Sequence, residues 1–306
     1  MDIKKVDDYG MFQMTYDRDY GFDDFLKVGA KNQGALEAYL DAKFNLLGPA
    51  CTTFCTHNYE GDVIFGRNYD FNIYSPPLQL TTRPGGNNYA SISTTSLLYL
   101  EYGVDDLPKS GDSALLASPY IPADGLNEKG VTIAVLTVAE AKPPHCESKI
   151  TLPTTTAIRL VLDKADSVNE AVKLLRQYNI YFSLDITCHF HIADASGHSV
   201  IVEYWDNDIK VTESPIASNF IACKTDEIIA QGNAVERHDI AKGFIDSNKN
   251  VLNKSQAVDL LVKLGGKAAD FGIGTQWSVI YNLSKLEGTI FANLNTDNLI
   301  DFSLQK

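Results

Sequence analysis

Residues 48–71 read GPACTTFCTHNYEGDVIFGRNYDF. Thr, Val, Ile, Phe and Tyr dominate two short runs on either side of Tyr59-Glu60-Gly61-Asp62. β-Branched and aromatic residues suit a pleated surface, and the four residues between the runs are turn chemistry. The stretch therefore predicts a β-hairpin over 51–71. Such a hairpin folds Arg67 and Asp70 back beside Cys51. A guanidinium near a thiol favours the thiolate, and an Asp three residues on can accept hydrogen bonds and hold an ammonium. Spacing alone favours the plainer reading, in which Arg67 and Asp70 pair on a strand surface and Cys51 is a small buried hydrophobe.

Outward from this stretch, the chain has 306 residues, 44% hydrophobic and 21% charged, enough for one large domain with a real core. Lys and Arg number 26 against 39 Asp and Glu, a net charge of -13 that argues against a nucleic-acid partner or an anionic membrane surface. Residues 1–19, MDIKKVDDYGMFQMTYDRD, hold no apolar core of a signal peptide, and no run of transmembrane length follows. The expectation is a soluble, cytoplasmic protein. Five cysteines, an odd and scattered set, do not suggest a disulfide framework.

Residues 1–50 read as a polar, acidic leader with one helix, GALEAYLDAKFNLL, in which Leu36, Leu40 and Phe44 share a face and Gly48-Pro49 is the stop. Beyond the hairpin, LQLTTR and YASISTTSLLYLEYG predict strands, and residues 154–178 a helical stretch. Within that stretch Ser167 and Glu170 read as a capping box ahead of the stripe Val168, Ala171, Val172, Leu175. LDITCHFHIAD, HSVIVEYW and IASNFIAC return to strand, AVERHDIAKGFI and SQAVDLLVKL to helix, and QWSVIYNL and GTIFANL end in strands. The alternation is an α+β layered pattern with helices covering sheets.

Several chemistries find no support. There is no GxSxG elbow, P-loop, HExxH or GxGxxG, so no cofactor site is expected. His189 and His191 share a strand face, but lack a partner at ligand spacing, so a polar or buried hydrogen-bonded pair is favoured over a metal. Asp185, Asp194 and Glu203 read as ordinary turn and strand carboxylates. Phe54, Tyr69, Phe71 and Tyr74 suit an acyl pocket or, more commonly, core.

The cysteine stretch resembles the start of the mature chain in the choloylglycine hydrolase family of N-terminal-nucleophile amidases. That family includes bile salt hydrolases and penicillin V acylases, with acid ceramidase and N-acylethanolamine acid amidase as more distant relatives. The shared pattern is Cys51-Thr52, a hairpin, then Gly66-Arg67-Asn68-Tyr69-Asp70; Cys55-Thr56 sits four residues too close to Gly66 to compete. DGLNEKGVTIAVL, HFHIADASGHSVIVEYW, IASNFIA with Asn219, AVERHDIA with Arg237, and QWSVIYNLSKLEGTIF resemble further family segments in the same order.

The resemblance implies a four-layer αββα sandwich and cleavage between Ala50 and Cys51. Residues 1–50 become a pro-segment, or a small subunit if retained, and 51–306 the catalytic domain. The freed α-amine, with a pKa of roughly 7.7–8.0, exchanges a proton with the thiol. Cys51 then forms a thioester with a linear N-acyl amide, which water resolves. Asn219 and a backbone N–H near Thr137 hold the oxyanion, Asp70 orients the α-amine, Arg67 polarises the thiol or carbonyl, and Arg237 supports the site. No cofactor or metal enters.

Thr137 stands where bile salt hydrolases carry Asn and penicillin V acylases Tyr, and only 18 residues separate Asn219 from Arg237. The short connection, with the long leader, resembles the ceramidase branch, while Thr137 implies different side-chain contacts to substrate. An N-acyl conjugate such as a fatty-acyl amide is therefore the first expectation, bile salts or penicillin V the second, and acyl transfer to an amine the third. A non-catalytic binding protein on the same scaffold is the alternative of another class.

Overall fold

The computed structural model describes residues 2–42, 50–103, 105–224, 228–266 and 274–305. Ahead of the cysteine stretch come strands β1 (Ile3–Lys5) and β2 (Phe12–Tyr16) and helices α1 (Phe22–Val28) and α2 (Gln33–Leu40). The stretch itself is β3 (Ala50–His57) and β4 (Val63–Phe71), followed by β5 (Pro77–Thr82), β6 (Ser91–Ser96), β7 (Asp124–Asn127) and β8 (Thr132–Thr137). Next are β9 (Thr151–Pro153), α3 (Thr154–Lys164), α4 (Val168–Leu175) and β10 (Asn179–Tyr181). The strands β11 (Cys188–Ala193), β12 (Ser199–Trp205), β13 (Asp208–Glu213) and β14 (Ile216–Ser218) lead to α5 (Ala234–Ser247) and α6 (Lys254–Leu264). The last strands are β15 (Gly274–Asn282), β16 (Glu287–Ala292) and β17 (Ile300–Ser303).

Among the described residues these strands build two large sheets, β1-β2-β5-β6-β7-β8-β11-β12-β13 and β14-β3-β4-β15-β16-β17, face to face. Helices α3 and α4 pack on β7, β8, β11 and β12, while α5 and α6 pack on β14, β3, β4 and β15. The order is helix, sheet, sheet, helix, the expected αββα sandwich. No described helix is long and apolar enough to cross a membrane.

The predicted hairpin is present, with Cys51 opposite Tyr69 and Thr53 opposite Arg67. Its turn is held by Asn58, whose Oδ1 accepts from the N–H groups of Glu60 and Asp62 at 2.9 Å each, and by Gly61 at φ 87°. The helical stretch after 154 is two helices. Ala165 leaves helical geometry, and Ser167 then caps α4 by accepting from Glu170 N–H at 3.3 Å. The strand expected over 89–103 ends at Ser96, whose side chain caps a 3₁₀ turn over Leu97–Leu100. IASNFIAC is strand only over Ile216–Ser218. Strand β13 was not expected; it follows a two-residue turn with Asp206 and Asn207 both at positive φ, 53° and 57°.

The leader differs most from its reading. It is no polar lead-in: β2 pairs in parallel with β5, and Met11, Phe12, Met14, Tyr16, Phe22, Phe25 and Leu36 are buried. Short elements spaced between exposed acids hide this core contribution, because no single window shows a full periodic stripe. Helix α2 stops at Leu40, with Asp41 in the left-handed region at φ 48°; residues 43–47 of the expected helix and its Gly48-Pro49 stop lie outside the described residues.

Candidate active site

Alternation along β3 and β4 sorts the site onto two faces of one sheet. Cys51 and Thr53 on β3, with Arg67 and Tyr69 on β4, face the nine-stranded sheet. Thr52, Asn68 and Asp70 face α5 and α6. On the inner face Cys51 is fully buried, and its Sγ lies 3.2 Å from Arg67 Nη2. Burial pushes the thiol pKa up, and the Arg67 charge and hydrogen bond pull against it.

Arg67 is locked from several sides. Nη1 donates to the Ala123 carbonyl at 3.0 Å and to Asp124 Oδ2, while Nη2 also donates to the Val135 carbonyl at 3.1 Å. Its guanidinium stands 4.9 Å from the Tyr69 ring centroid, and Tyr69 stacks on Trp277 at 3.7 Å. Burial works to depress the Arg67 pKa; the neighbouring Cys51 and Asp124 outweigh it and raise the pKa.

On the outer face Arg237 ties the strand start together. Helix α5 buries Ala234, Arg237, Ala241 and Ile245, one stripe that aims the arginine at the sheet. Nη1 donates to the Cys51 carbonyl at 3.0 Å, to Thr52 Oγ1 at 2.6 Å and to Asp70 Oδ2 at 3.3 Å. Nη2 donates to Asn219 Oδ1 at 2.6 Å. Asp70 also accepts from Thr275 Oγ1 at 2.6 Å; burial raises its pKa, against the pull of Thr275, Arg237 and Arg67.

Asn219 follows β14, whose Ser218 sits opposite Thr52, and this register brings it to the Cys51 backbone. The Cys51 N–H donates to Asn219 Oδ1 at 2.9 Å, and Asn219 Nδ2 donates to the Thr137 carbonyl at 2.8 Å and Oγ1 at 3.2 Å. The loop beyond is anchored by Glu203, which accepts from the N–H groups of Ala222 and Cys223 at 2.8 and 2.7 Å. Burial would raise the Glu203 pKa; His189, 3.0 Å away, and those two N–H groups bring it below the ordinary value.

The structure thus brings Cys51, Arg67, Asp70, Thr137, Asn219 and Arg237 around the Ala50–Cys51 peptide. Asp70 touches Arg237 and Thr275, while the Cys51 nitrogen faces Asn219. Glu203 is not an ordinary strand carboxylate, since it is fully buried and holds the loop after Asn219. His189 and His191 are both buried; His191 bonds to Thr53 Oγ1 at 2.6 Å and lies 2.8 Å from Ser199 Oγ. Of the aromatic candidates, Phe54 packs in the core with α5 and α6, and Tyr69 and Phe71 are buried inside the sandwich.

Sequence reasoning missed Asp124, Trp277, Tyr281 and Thr275. Asp124 and Trp277 sit inside segments quoted for their resemblance, but nothing in local spacing marks a carboxylate that meets an arginine 57 residues away. A cavity of about 370 Å³ near Tyr59, Lys254 and Phe302, and another of about 660 Å³ near Gln13, Gln79 and Ser303, include none of the site residues.

Two facing sheets enclosed by helix layers, with the buried Cys51 thiol near the start of an inner strand, have the layered fold of the N-terminal-nucleophile hydrolase type. The profile of the linear amide C–N hydrolases, choloylglycine hydrolase family, matches residues 51–219, and the chain belongs to that family. A penicillin V acylase from Pectobacterium atrosepticum is 35% identical over 177 residues, which take in 51% of this chain and 45% of that protein. The chain thus matches about half the length of this curated relative. The structure of penicillin V acylase from Agrobacterium tumefaciens superposes with a TM-score of 0.60 at 18% identity, covering 84% of this chain and 87% of that one. A mutant conjugated bile acid hydrolase from Clostridium perfringens gives 0.56 at 17% identity, covering 83% and 92%. At these identities the two structures establish the shared fold.

Proposed function

We propose that this chain is a self-processing cysteine amidase that cleaves the C–N bond of linear N-acyl amides. The observation that carries the reading is the double engagement of one residue: Cys51 Sγ is 3.2 Å from Arg67 while its N–H is 2.9 Å from Asn219. That the family match begins at Cys51 supports it. In processing, Cys51 Sγ adds to the Ala50 carbonyl carbon and the Ala50–Cys51 C–N bond breaks. The resulting thioester is hydrolysed by water, which leaves a carboxylate on Ala50 and a free thiol and α-amine on Cys51. In turnover the α-amine takes the thiol proton, Sγ attacks the substrate carbonyl, and the amine leaves with that proton. Water then releases the acid.

Asn219 Nδ2 and an N–H near Thr137 serve the oxyanion, each worth about 3–4 kcal/mol in comparable sites. Arg67 polarises the thiol. Arg237 holds the Cys51 carbonyl and Asn219, and Asp70 orients the α-amine through Arg237. Residues 1–50 remain after cleavage as a small subunit on 51–306. Supporting retention, Tyr20 donates to Asp163 at 2.7 Å, Asp23 pairs with Lys164 at 2.6 Å, and β2 is hydrogen-bonded to β5.

The test is the intact mass and N-terminal sequence of wild type and Cys51→Ala after incubation. A wild-type chain beginning at Cys51 with an uncut variant is expected. The matured protein is then assayed on fatty-acyl amides, penicillin V and conjugated bile acids, with an added amine to reveal acyl transfer. Wild type that stays whole and inactive on every amide overturns the reading in favour of a binding protein on this scaffold.

A further inference from the structure

We propose that Asp124 is a positioning residue that fixes Arg67 and sets the net charge Arg67 presents to the Cys51 thiol. Arg67 is fully buried, so its charge needs a counter-charge and its N–H groups need acceptors. Asp124, equally buried, supplies the counter-charge at Nη1, while Nη2 reaches Cys51 Sγ. The guanidinium therefore lies between a carboxylate and a thiol.

Asp124 itself cannot turn away. Its Oδ1 accepts from Tyr281 OH at 2.6 Å, and its Oδ2 from Trp277 Nε1 at 3.3 Å as well as from Arg67. Tyr281 and Trp277 are on β15, Asp124 on β7 of the opposite sheet, so the carboxylate couples the two layers through the site. An unopposed Arg67 would draw the thiol strongly toward thiolate. With the carboxylate behind it the thiol keeps its proton until a base collects it, as a thiol that hands its proton to an α-amine must.

Other charged or titratable groups act on the thiol through their charge, two of them (Asp70 and Arg237) from the opposite face of the sheet. They are Tyr69 and Asp70 on β4, Tyr99 in the 3₁₀ turn and Arg237 on α5. None of these bonds to Asp124 in the structure, so a change at Asp124 reports on the Arg67 relay.

The inference rests on the reading of Cys51 as nucleophile, but its readout needs neither cleavage nor turnover. Full-length protein carrying Cβ-¹³C cysteine is titrated by NMR, with the Cys51 resonance assigned by Cys51→Ser. Asp124→Asn keeps the shape and removes the charge, and should lower the Cys51 midpoint by about one pH unit or more. Tyr281→Phe removes a donor from the carboxylate, strengthens its field and should shift the midpoint upward. A purely structural role would lower melting temperature without ordering the two midpoints in opposite directions.

An Asp124→Asn midpoint equal to or above wild type overturns the proposal. Should that variant not fold, a Tyr281→Phe midpoint that fails to rise overturns it. A chain that stays whole and inactive on every amide yet shows both shifts sinks the amidase reading and leaves this one standing.

Discussion

At the scale of single residues, the inner face of the hairpin is a place where burial and charge compete. His191 shows burial winning outright. With the ring enclosed between Thr53 and Ser199, burial pushes its pKa down to about 3. The unfolded chain binds that proton near the ordinary histidine pKa of about 6.5. A depressed folded-state pKa means the unfolded state holds more protons between those values, so stability is full above pH 6.5 or so and falls as pH drops. The slope approaches about 1.4 kcal/mol per pH unit. His191→Gln should flatten it, as measured by urea unfolding between pH 4 and 6.5; an unchanged slope would place the acid sensitivity elsewhere. The two histidines were legible as a pair on one strand face. Their partners were not, because a hydrogen bond to Thr53 on the facing sheet leaves no trace in spacing.

At the scale of elements, Gly66 explains part of the Gly-Arg-Asn pattern in physical terms. It lies opposite Phe54, whose ring covers it on the helix-facing side, where a Cβ would run into the ring. Phe54 is fully buried among residues of α5 and α6 and has no room to retreat. Gly66→Ala should therefore cost about 1–3 kcal/mol by overpacking, read as a lower urea midpoint with an unchanged m-value. Hairpin, α4, α5 and α6 were readable because each carries a local signal, a turn, a cap or a helical stripe, within its own residues. Asn253 also forms a capping box on α6, a local signal left unread in the sequence, with both hydrogen bonds present at 2.9 Å. The break between α3 and α4 was half-legible: Ser167 announced a new start, but its preceding residues look helical in isolation. Strand β13 escaped notice because its alternation is mostly polar, as fits a sheet edge.

At the scale of the whole molecule, the described part of residues 1–50 is built into the sandwich, and that bears on the outcome of the proposed cleavage. Phe25 is fully buried, with ring contacts to Phe22, Tyr39 and Tyr120, the last of these outside the leader. After cleavage both pieces should travel together in native mass spectrometry and separate only in denaturant. Phe25→Ala should cost about 3–5 kcal/mol and loosen that association; a cut leader that dissociates freely from wild type would contradict it. By itself, the sequence determined the layered class, the hairpin, the cysteine at its start and, through ordered resemblance, the family. These are local or collinear properties, written in neighbouring residues and in their order along the chain. The tertiary structure alone decided that Asp124 backs Arg67, that Arg237 and Asp70 work from the face opposite the thiol, and that the leader pairs with β5. Each depends on which element a face meets, and periodicity reports only that a face is apolar or polar, never what will be packed against it.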